Sequence, residues 1–96
     1  MLTEMDVLFF RIRDLVMGGR YLIGQHAVER LDERSILEWQ VVDGIEHGRS
    51  VGERPDGHPH PVVKVEETLA DGTRVLAVWA YMDSVDYAKL VTVYFL

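Results

Sequence analysis

The hydrophobic periodicity of this 96-residue chain changes near Gly48, and this change limits the fold more than any other feature of the sequence. Before Gly48, apolar residues recur every three or four positions, the spacing that places them on one face of a helix. After it, they occur in short runs rich in β-branched and aromatic residues, which are typical of strands. Helices followed by strands predict an α+β fold. We expect about three N-terminal helices packed on one face of a three- to four-stranded antiparallel sheet, as a single domain spanning residues 1–96.

Two helices are predicted in the first third of the chain. The first begins after Thr3, whose hydroxyl suits an N-cap. It ends at Gly18-Gly19, because glycine readily takes the left-handed conformation found after a helix. A short extended link from Arg20 to Ile23 leads to the second helix, which runs from about Gln25 to Glu33.

A third helix is predicted from a capping box. In Ser35-Ile-Leu-Glu38, the serine hydroxyl can accept a hydrogen bond from the amide of Glu38, whose carboxylate reaches back to Ser35. The helix then runs to about His47 and contains Gly44, which indicates close approach to another element. Its buried row is expected to be Leu37, Val41 and Ile45.

Four strands are predicted after Gly48. Asp71-Gly72 is the strongest hairpin signal in the chain, and the stretch 55–61 must be a loop because its three prolines lack an amide hydrogen. The third of these strands is apolar on both faces, which predicts a central position and a buried Trp79. The predicted strands are Arg49–Arg54, Val62–Thr68, Thr73–Tyr81 and Ala88–Phe95.

The charge of the chain limits its partners. Sixteen acidic residues outnumber ten Lys and Arg residues, which gives a formal net charge of −6 at pH 7. Proteins bind nucleic-acid backbones mainly through Lys and Arg, so binding of RNA requires positive charge that is gathered locally. Some positive charge is concentrated in the first third of the chain, which contains five arginines: Arg11, Arg13, Arg20, Arg30 and Arg34.

The composition also excludes several classes of protein. The absence of cysteine rules out disulfides and thiolate metal sites. No apolar run approaches the roughly 20 residues that a membrane-spanning helix needs. The N-terminal sequence is acidic where a secretory signal is basic. We therefore expect a cytoplasmic protein, bacterial in style, that does not interact with a membrane.

His26, Arg30 and Arg34 are four residues apart, so a helix would place them on one face. Two guanidiniums can hold phosphate oxygens, and an imidazole can transfer a proton near neutral pH. The spacing therefore suggests that this face handles a phosphate group. A structural role is the alternative, in which Arg30 pairs with Glu33 or another acid and His26 caps its helix or bonds a strand carbonyl.

One further pattern joins this helix to the last strand: His26-Ala27, Arg30-Leu31, Glu33-Arg34, Ile36 and Val91-Thr92-Val93-Tyr94. It resembles the DUF4258 family, a group of small, mostly bacterial proteins without an assigned function. The resemblance covers Tyr21 to Phe95. The family is similar to the RelE-type toxin fold, which includes ribosome-dependent messenger-RNA endonucleases. Ser35 departs from the pattern, because the family commonly has glycine there, and the acidic charge departs from the basic character of RelE-type endonucleases.

The resemblance implies a RelE-like architecture and a metal-independent RNA endonuclease, in which the 2′-hydroxyl of RNA attacks the adjacent phosphate. His26 would act as base or acid, and Arg30 and Arg34 would clamp phosphate oxygens. Thr92 or Tyr94 would supply a hydroxyl. RNA or a cognate antitoxin-like protein would be the partner. For Tyr94, the alternative is a core tyrosine whose hydroxyl lies at the sheet edge.

A catalytically silent interaction module or a homodimer is the alternative function. Trp39 lies off the buried row of the third helix, so we expect part of its ring to be exposed. The apolar segment Tyr94-Phe95-Leu96 suits a sheet edge that is covered by a partner or a second copy.

The Pro-rich loop is a weaker candidate for a metal site. His58 and His60 lie two residues apart in an extended segment, so both rings can face one side. Two ligands are too few for a metal, and Asp56 or His47 would have to complete the set. We therefore expect no metal and no cofactor, and an exposed loop.

Overall fold

The computed structural model describes residues 4–96, and the side chains from residue 7 onward. The helices are α1 (Glu4–Met17), α2 (Gln25–Glu33) and α3 (Glu38–Gly44), and a 3₁₀ turn (Ile45–His47) continues α3. The strands are β1 (Tyr21–Ile23), β2 (Arg49–Arg54), β3 (Val62–Thr68), β4 (Arg74–Met82) and β5 (Tyr87–Phe95). The α+β class is confirmed, and so are the predicted bounds of α2, β2 and β3. The predicted cap at Thr3 lies outside the described residues.

The sheet differs from the predicted three to four antiparallel strands. Among the described residues it has five strands, in the order β1-β5-β4-β3-β2. Strands β2 to β5 form an antiparallel meander, whereas β1 pairs in parallel with β5, from Tyr21 opposite Ala88 to Ile23 opposite Leu90. The prediction missed β1 because three residues are too short to display an alternating pattern, and its partner lies at the far end of the sequence.

One face of the sheet carries the hydrophobic core. Trp79 at the centre of β4 has no exposed surface, as predicted. Cross-strand partners have side chains on the same face, so the residues paired around Trp79 share this side. The sheet contributes Val63, Val65, Val75, Ala77, Ala88, Leu90 and Val93, which pack against Phe9, Ile12, Leu15, Val16, Ala27, Leu31, Val41 and Ile45.

The segment between α2 and α3 corrects two predictions. Ser35 does not cap α3: its backbone is left-handed, with φ of 53°, and it ends α2. The amide of Ser35 donates to the carbonyl of Asp32, and the amide of Ile36 donates to that of Leu31. These two bonds form a Schellman motif, whose left-handed position usually holds glycine.

Helix α3 begins later than predicted. Leu37 is its N-cap, and the amide of Leu37 donates to Oε1 of Gln40 at 3.0 Å. Leu37 is also exposed rather than part of the buried row, whereas Val41 and Ile45 are fully buried as predicted. The reason is the Schellman motif, which turns Ile36 into the core in place of Leu37.

Replacing Ser35 with glycine is expected to stabilise the protein by about 0.5–1 kcal/mol. A left-handed backbone costs an L-residue about 1–2 kcal/mol, part of which is offset because glycine loses more entropy on folding. Urea denaturation of the S35G variant would measure the gain. S35A is the matched control, because alanine keeps the strained Cβ, and an equal gain in both variants would contradict the explanation.

No helix among the described residues is long and apolar enough to cross a membrane.

Candidate functional site

Helix α2 and the residue that follows it carry the predicted phosphate-handling face. His26 lies in the first turn and is exposed, and Nε of Arg30 donates to its Nε2 at 3.3 Å. Arg30 also donates from Nη1 to Oε2 of Glu33 at 2.9 Å. Nη1 of Arg34 lies 3.6 Å from the same carboxylate oxygen. The structure therefore brings His26, Arg30 and Arg34 together, with Glu33 between the two guanidiniums.

Arg34 is further oriented by the sheet. It is the C-cap of α2 rather than a helical residue. Its guanidinium carbon lies 5.6 Å from the centre of the Phe95 ring, a distance at which a cation is attracted to an aromatic face. The side chain of Arg34 is 24% exposed and that of Arg30 is 36% exposed, so both reach the surface with partly covered stems.

These contacts combine the two roles that the sequence left open. The predicted pairing of Arg30 with Glu33 is present, which is a structural role. The same carboxylate holds both guanidiniums at the surface, where an oxyanion that displaced it would meet two sets of donors. Nε2 of His26 accepts a hydrogen bond in this arrangement, so that nitrogen has its lone pair directed at Arg30.

Thr92 and Tyr94 do not join this face. Thr92 pairs with Val78 and Tyr94 pairs with Leu76, positions that alternate with the core residues of β4 and so point away from the helices. The hydroxyl of Thr92 is buried and has no hydrogen-bond partner among the described residues. Tyr94 is 47% exposed, so the prediction of a core tyrosine is wrong.

A β-bulge causes this separation. Trp79 pairs with Leu90 and Val78 pairs with Thr92, so Val91 is an extra residue in β5. An extra residue reverses the side to which all following side chains point. In an unbroken strand, Thr92 and Tyr94 would share the helix-facing side of Leu90. A bulge in the middle of a β-branched run leaves no sign in the sequence.

The arginines of the first third do not form one basic surface. Arg11 forms an ion pair with Asp86, and Nε of Arg20 donates to the backbone carbonyl of Asp86 at 3.2 Å. Arg13 lies over the ring of Phe10, with 4.8 Å between the guanidinium carbon and the ring centre. The positive charge is therefore spread over separate places, and the two arginines on and after α2 share the Glu33 carboxylate.

Glu67 is a chemically unusual residue that the sequence analysis missed. It is 1% exposed, and Nε1 of Trp79 donates to its Oε2 at 3.3 Å. Burial raises the pKa of Glu67 to about 8, and the bond from Trp79 opposes this rise only in part. Its Oε1 has no hydrogen-bond partner among the described residues. The sequence does contain a signal for this burial. Val63, Val65 and Glu67 are two residues apart on one strand, so Glu67 shares the face of the two valines.

The predicted close approach at Gly44 is confirmed, and Glu67 is the neighbour. A Cβ atom at Gly44 would lie 2.8 Å from Oε1 of Glu67. Glycine therefore lets α3 pack directly on the buried carboxyl group.

Trp39 is 54% exposed, so the prediction that it is partly exposed is confirmed. Trp39 lines a groove of about 530 Å³ with Val16, Met17 and Val42, and with the carboxylates of Asp43 and Glu46. Among the residues that the structure describes, no group of three or more His, Cys, Asp and Glu side chains could hold a metal ion.

Comparison with known proteins gives one match. A family model described as "Domain of unknown function (DUF4258)" matches residues 23–95. Neither the curated proteins nor the solved structures contain a match. The matched segment includes α2 and the whole antiparallel meander.

Proposed function

Because the chain belongs to the DUF4258 family, to which no activity is assigned, we propose a function from its own surface: metal-independent cleavage of RNA by His26, Arg30 and Arg34. One observation carries the proposal, the 3.3 Å bond from Nε of Arg30 to Nε2 of His26. It places a proton-transferring ring beside a guanidinium on an exposed helix face. Phosphodiester cleavage needs this combination of a base and a nearby cation.

In the proposed reaction, a backbone phosphate displaces the Glu33 carboxylate and binds both guanidiniums. Arg30 turns toward the phosphate, which frees Nε2 of His26 to take the proton of the adjacent 2′-hydroxyl. The 2′-oxygen then forms a bond to phosphorus, and the bond to the 5′-oxygen breaks. The imidazolium of His26 returns its proton to that 5′-oxygen, which leaves a 2′,3′-cyclic phosphate. Thr92 and Tyr94 take no part, because they lie on the opposite face of the sheet.

The RelE-like comparison is part of the same proposal. Three helices on one face of the meander β2–β5 are the arrangement that the resemblance implies, and the parallel edge strand β1 is an addition to it. A net charge of −6 disfavours binding of free RNA at a distance. Because the RelE-type endonucleases of the resemblance depend on the ribosome, we propose messenger RNA held by a ribosome as the substrate, which also requires a cytoplasmic location.

Cleavage of messenger RNA in a bacterial translation extract tests the proposal. H26A and R30A are each expected to lower the cleavage rate by about 10²-fold or more, the usual contribution of a proton-transfer group or fixed cation. H47A is the matched control, because the side chain of His47 is 91% exposed and lies outside α2. Equal cleavage by the wild type and the folded H26A/R30A double variant would contradict the proposal.

The groove at Trp39 favours a second candidate function, a protein interaction module. An exposed tryptophan flanked by Met17 and Val42 is the kind of side chain that anchors an interface. Asp43 and Glu46 at the rim complement a basic partner, so we propose an amphipathic segment with apolar anchors and Lys or Arg residues. An antitoxin-like protein could present such a segment. A homodimer through Tyr94 to Leu96 remains a separate prediction, for which sedimentation is the test.

Tryptophan fluorescence can measure binding to the groove directly. The chain has two tryptophans, and because Trp79 is fully buried, a change on adding an amphipathic Leu/Lys peptide reports on Trp39. D43N/E46Q is expected to weaken binding at least tenfold, and D71N/D83N controls for the same change in net charge. Unchanged emission, or equal weakening in both variants, would contradict a specific groove.

A further inference from the structure

The Pro-rich loop forms a pocket on the sheet face that the helices leave open. His58, Pro59 and His60 lie over a floor built by the sheet. The floor includes a cross-strand row, in which Val62 pairs with Ala80 and Ala80 pairs with Lys89. Ala80 is only 2% exposed although its neighbours on β4 with the same orientation are half-buried, so the loop covers this point.

The polar side chains that line this pocket can all donate hydrogen bonds. His58, His60 and Lys89 line it, and no acidic residue does. Lys89 makes no ion pair with any residue that the structure describes, although acidic residues outnumber basic ones in the chain. A pocket lined by an unpaired lysine and two imidazoles, with no carboxylate, is an arrangement that attracts an anion.

The Lys89 side chain is held in place by the end of β1. The amide of Gly24 donates to the carbonyl of Leu90 at 2.9 Å, which brings the backbone of Gly24 against β5. A Cβ atom at Gly24 would lie 2.8 Å from Cε of Lys89, so the lysine stem packs directly on this glycine. The stem loses freedom on folding, and less further entropy is lost when its ammonium binds a ligand.

The rest of the lining is apolar. Pro59, Val62, Ala80 and Val91 form the walls and floor, and Val91 is the extra residue of the β5 bulge. The volume is about 220 Å³. That is less than the roughly 300–1,000 Å³ of pockets for drug-sized ligands, so the occupant must be small.

We propose that this pocket binds a small organic oxyanion with an apolar body, with its carboxylate or phosphate held by Lys89, His58 and His60. The proposal is independent of RNA cleavage, because none of the residues that line the pocket belongs to the proposed catalytic face of α2. The apolar walls favour a ligand with a compact hydrocarbon or ring group over an inorganic ion.

Proton NMR of the four histidine rings tests the proposal with benzoate, phenyl phosphate and inorganic phosphate as probes. Saturable shifts are expected at His58 and His60, and the rings of His26 and His47 serve as internal controls. Benzoate and phenyl phosphate should bind more tightly than inorganic phosphate, and comparison of the two shows which head group is preferred. Shifts confined to His26 would support the phosphate-handling face of α2 and overturn this pocket.

Three variants distinguish binding in the pocket from general electrostatic attraction of an anion to the protein. K89M is expected to weaken benzoate binding about tenfold or more, the value of one charge-assisted hydrogen bond. K64M is the matched control, because Lys64 is the only other lysine of the chain and lies exposed on β3. H58Q/H60Q should weaken binding without removing the lysine. Equal affinity in K89M and K64M, or no saturable shift in the wild type, would overturn the proposal.

Discussion

Replacing Glu67 with glutamine is expected to raise the free energy of unfolding by a few kcal/mol at pH 8–9 and to change it little near pH 5. Burial raises the pKa of Glu67 in the folded protein from 4.5 to about 8. One pKa unit corresponds to about 1.4 kcal/mol, so the penalty for ionising this buried carboxyl group is a few kcal/mol. Glutamine has nearly the same shape, can accept the bond from Trp79 and never ionises.

The direction of the pH effect follows from proton binding. Between about pH 4.5 and 8, Glu67 keeps its proton in the folded protein and loses it in the unfolded chain. The unfolded state therefore binds fewer protons, and the stability of the wild type falls as pH rises through this window. Above about pH 8 both states are ionised and the loss is complete. The E67Q variant lacks this contribution, so the difference between the two proteins should grow from pH 5 to pH 8.

Glu66 is the matched control for this experiment. It is adjacent in sequence but belongs to the opposite face of β3, where hydrogen bonds from Arg74 and then Arg49 lower its pKa below 4.5. The ionised Glu66 stabilises the folded protein at pH values above its pKa in the unfolded chain. This stabilisation is lost as the pH falls through the lower pKa that Glu66 has in the folded protein. E66Q should therefore leave the decline between pH 4.5 and 8 unchanged. Urea denaturation at several pH values measures all three proteins, and parallel curves for E67Q and the wild type would contradict the assignment.

Local sequence signals predicted most of the elements. Helix α2 was placed correctly because its apolar positions follow a helical period, and β3 was predicted between the Pro-rich loop and the Asp71-Gly72 turn. The burial of Glu67 could have been predicted by extending the alternation of Val63 and Val65 along β3 to the next position on the same face. These signals act over a few residues, which is why a single sequence contains them.

The errors share a different cause, because each depends on a distant part of the chain or on backbone geometry. Strand β1 exists only through its pairing with β5, more than sixty positions later. Ser35 has a side chain suited to capping, yet it takes the left-handed position in which glycine is usual. The bulge at Val91 moved Thr92 and Tyr94 away from α2, so three of the five predicted site residues meet and two do not.

Replacing Gly48 with alanine is expected to destabilise the protein by about 1–3 kcal/mol, the usual cost of overpacking a core. Gly48 links the 3₁₀ turn to β2, and a Cβ atom there would lie 2.5 Å from Cγ1 of Val65. Val65 is fully buried, and its β-branched side chain has little freedom to rotate. The backbone carbonyls of Ile45 and Glu66, each 3.4 Å from the same point, limit movement of the new methyl group.

G52A is the matched control, because Gly52 lies four residues further along β2 and its added Cβ would meet only Cδ of Lys64, at 3.8 Å. That contact is ordinary, and the loss of glycine entropy from the unfolded chain should make G52A neutral or slightly stabilising. In the G48A background, V65A should cost less than it does in the wild type, because the clash and the removed methyl groups occupy the same space. Chemical denaturation of the four proteins in this double-mutant cycle measures the coupling. Additive effects, or equal stabilities of G48A and G52A, would contradict this prediction. Either result would show that β2 can shift away from β3 here, so that close packing at Gly48 does not hold β2 in position.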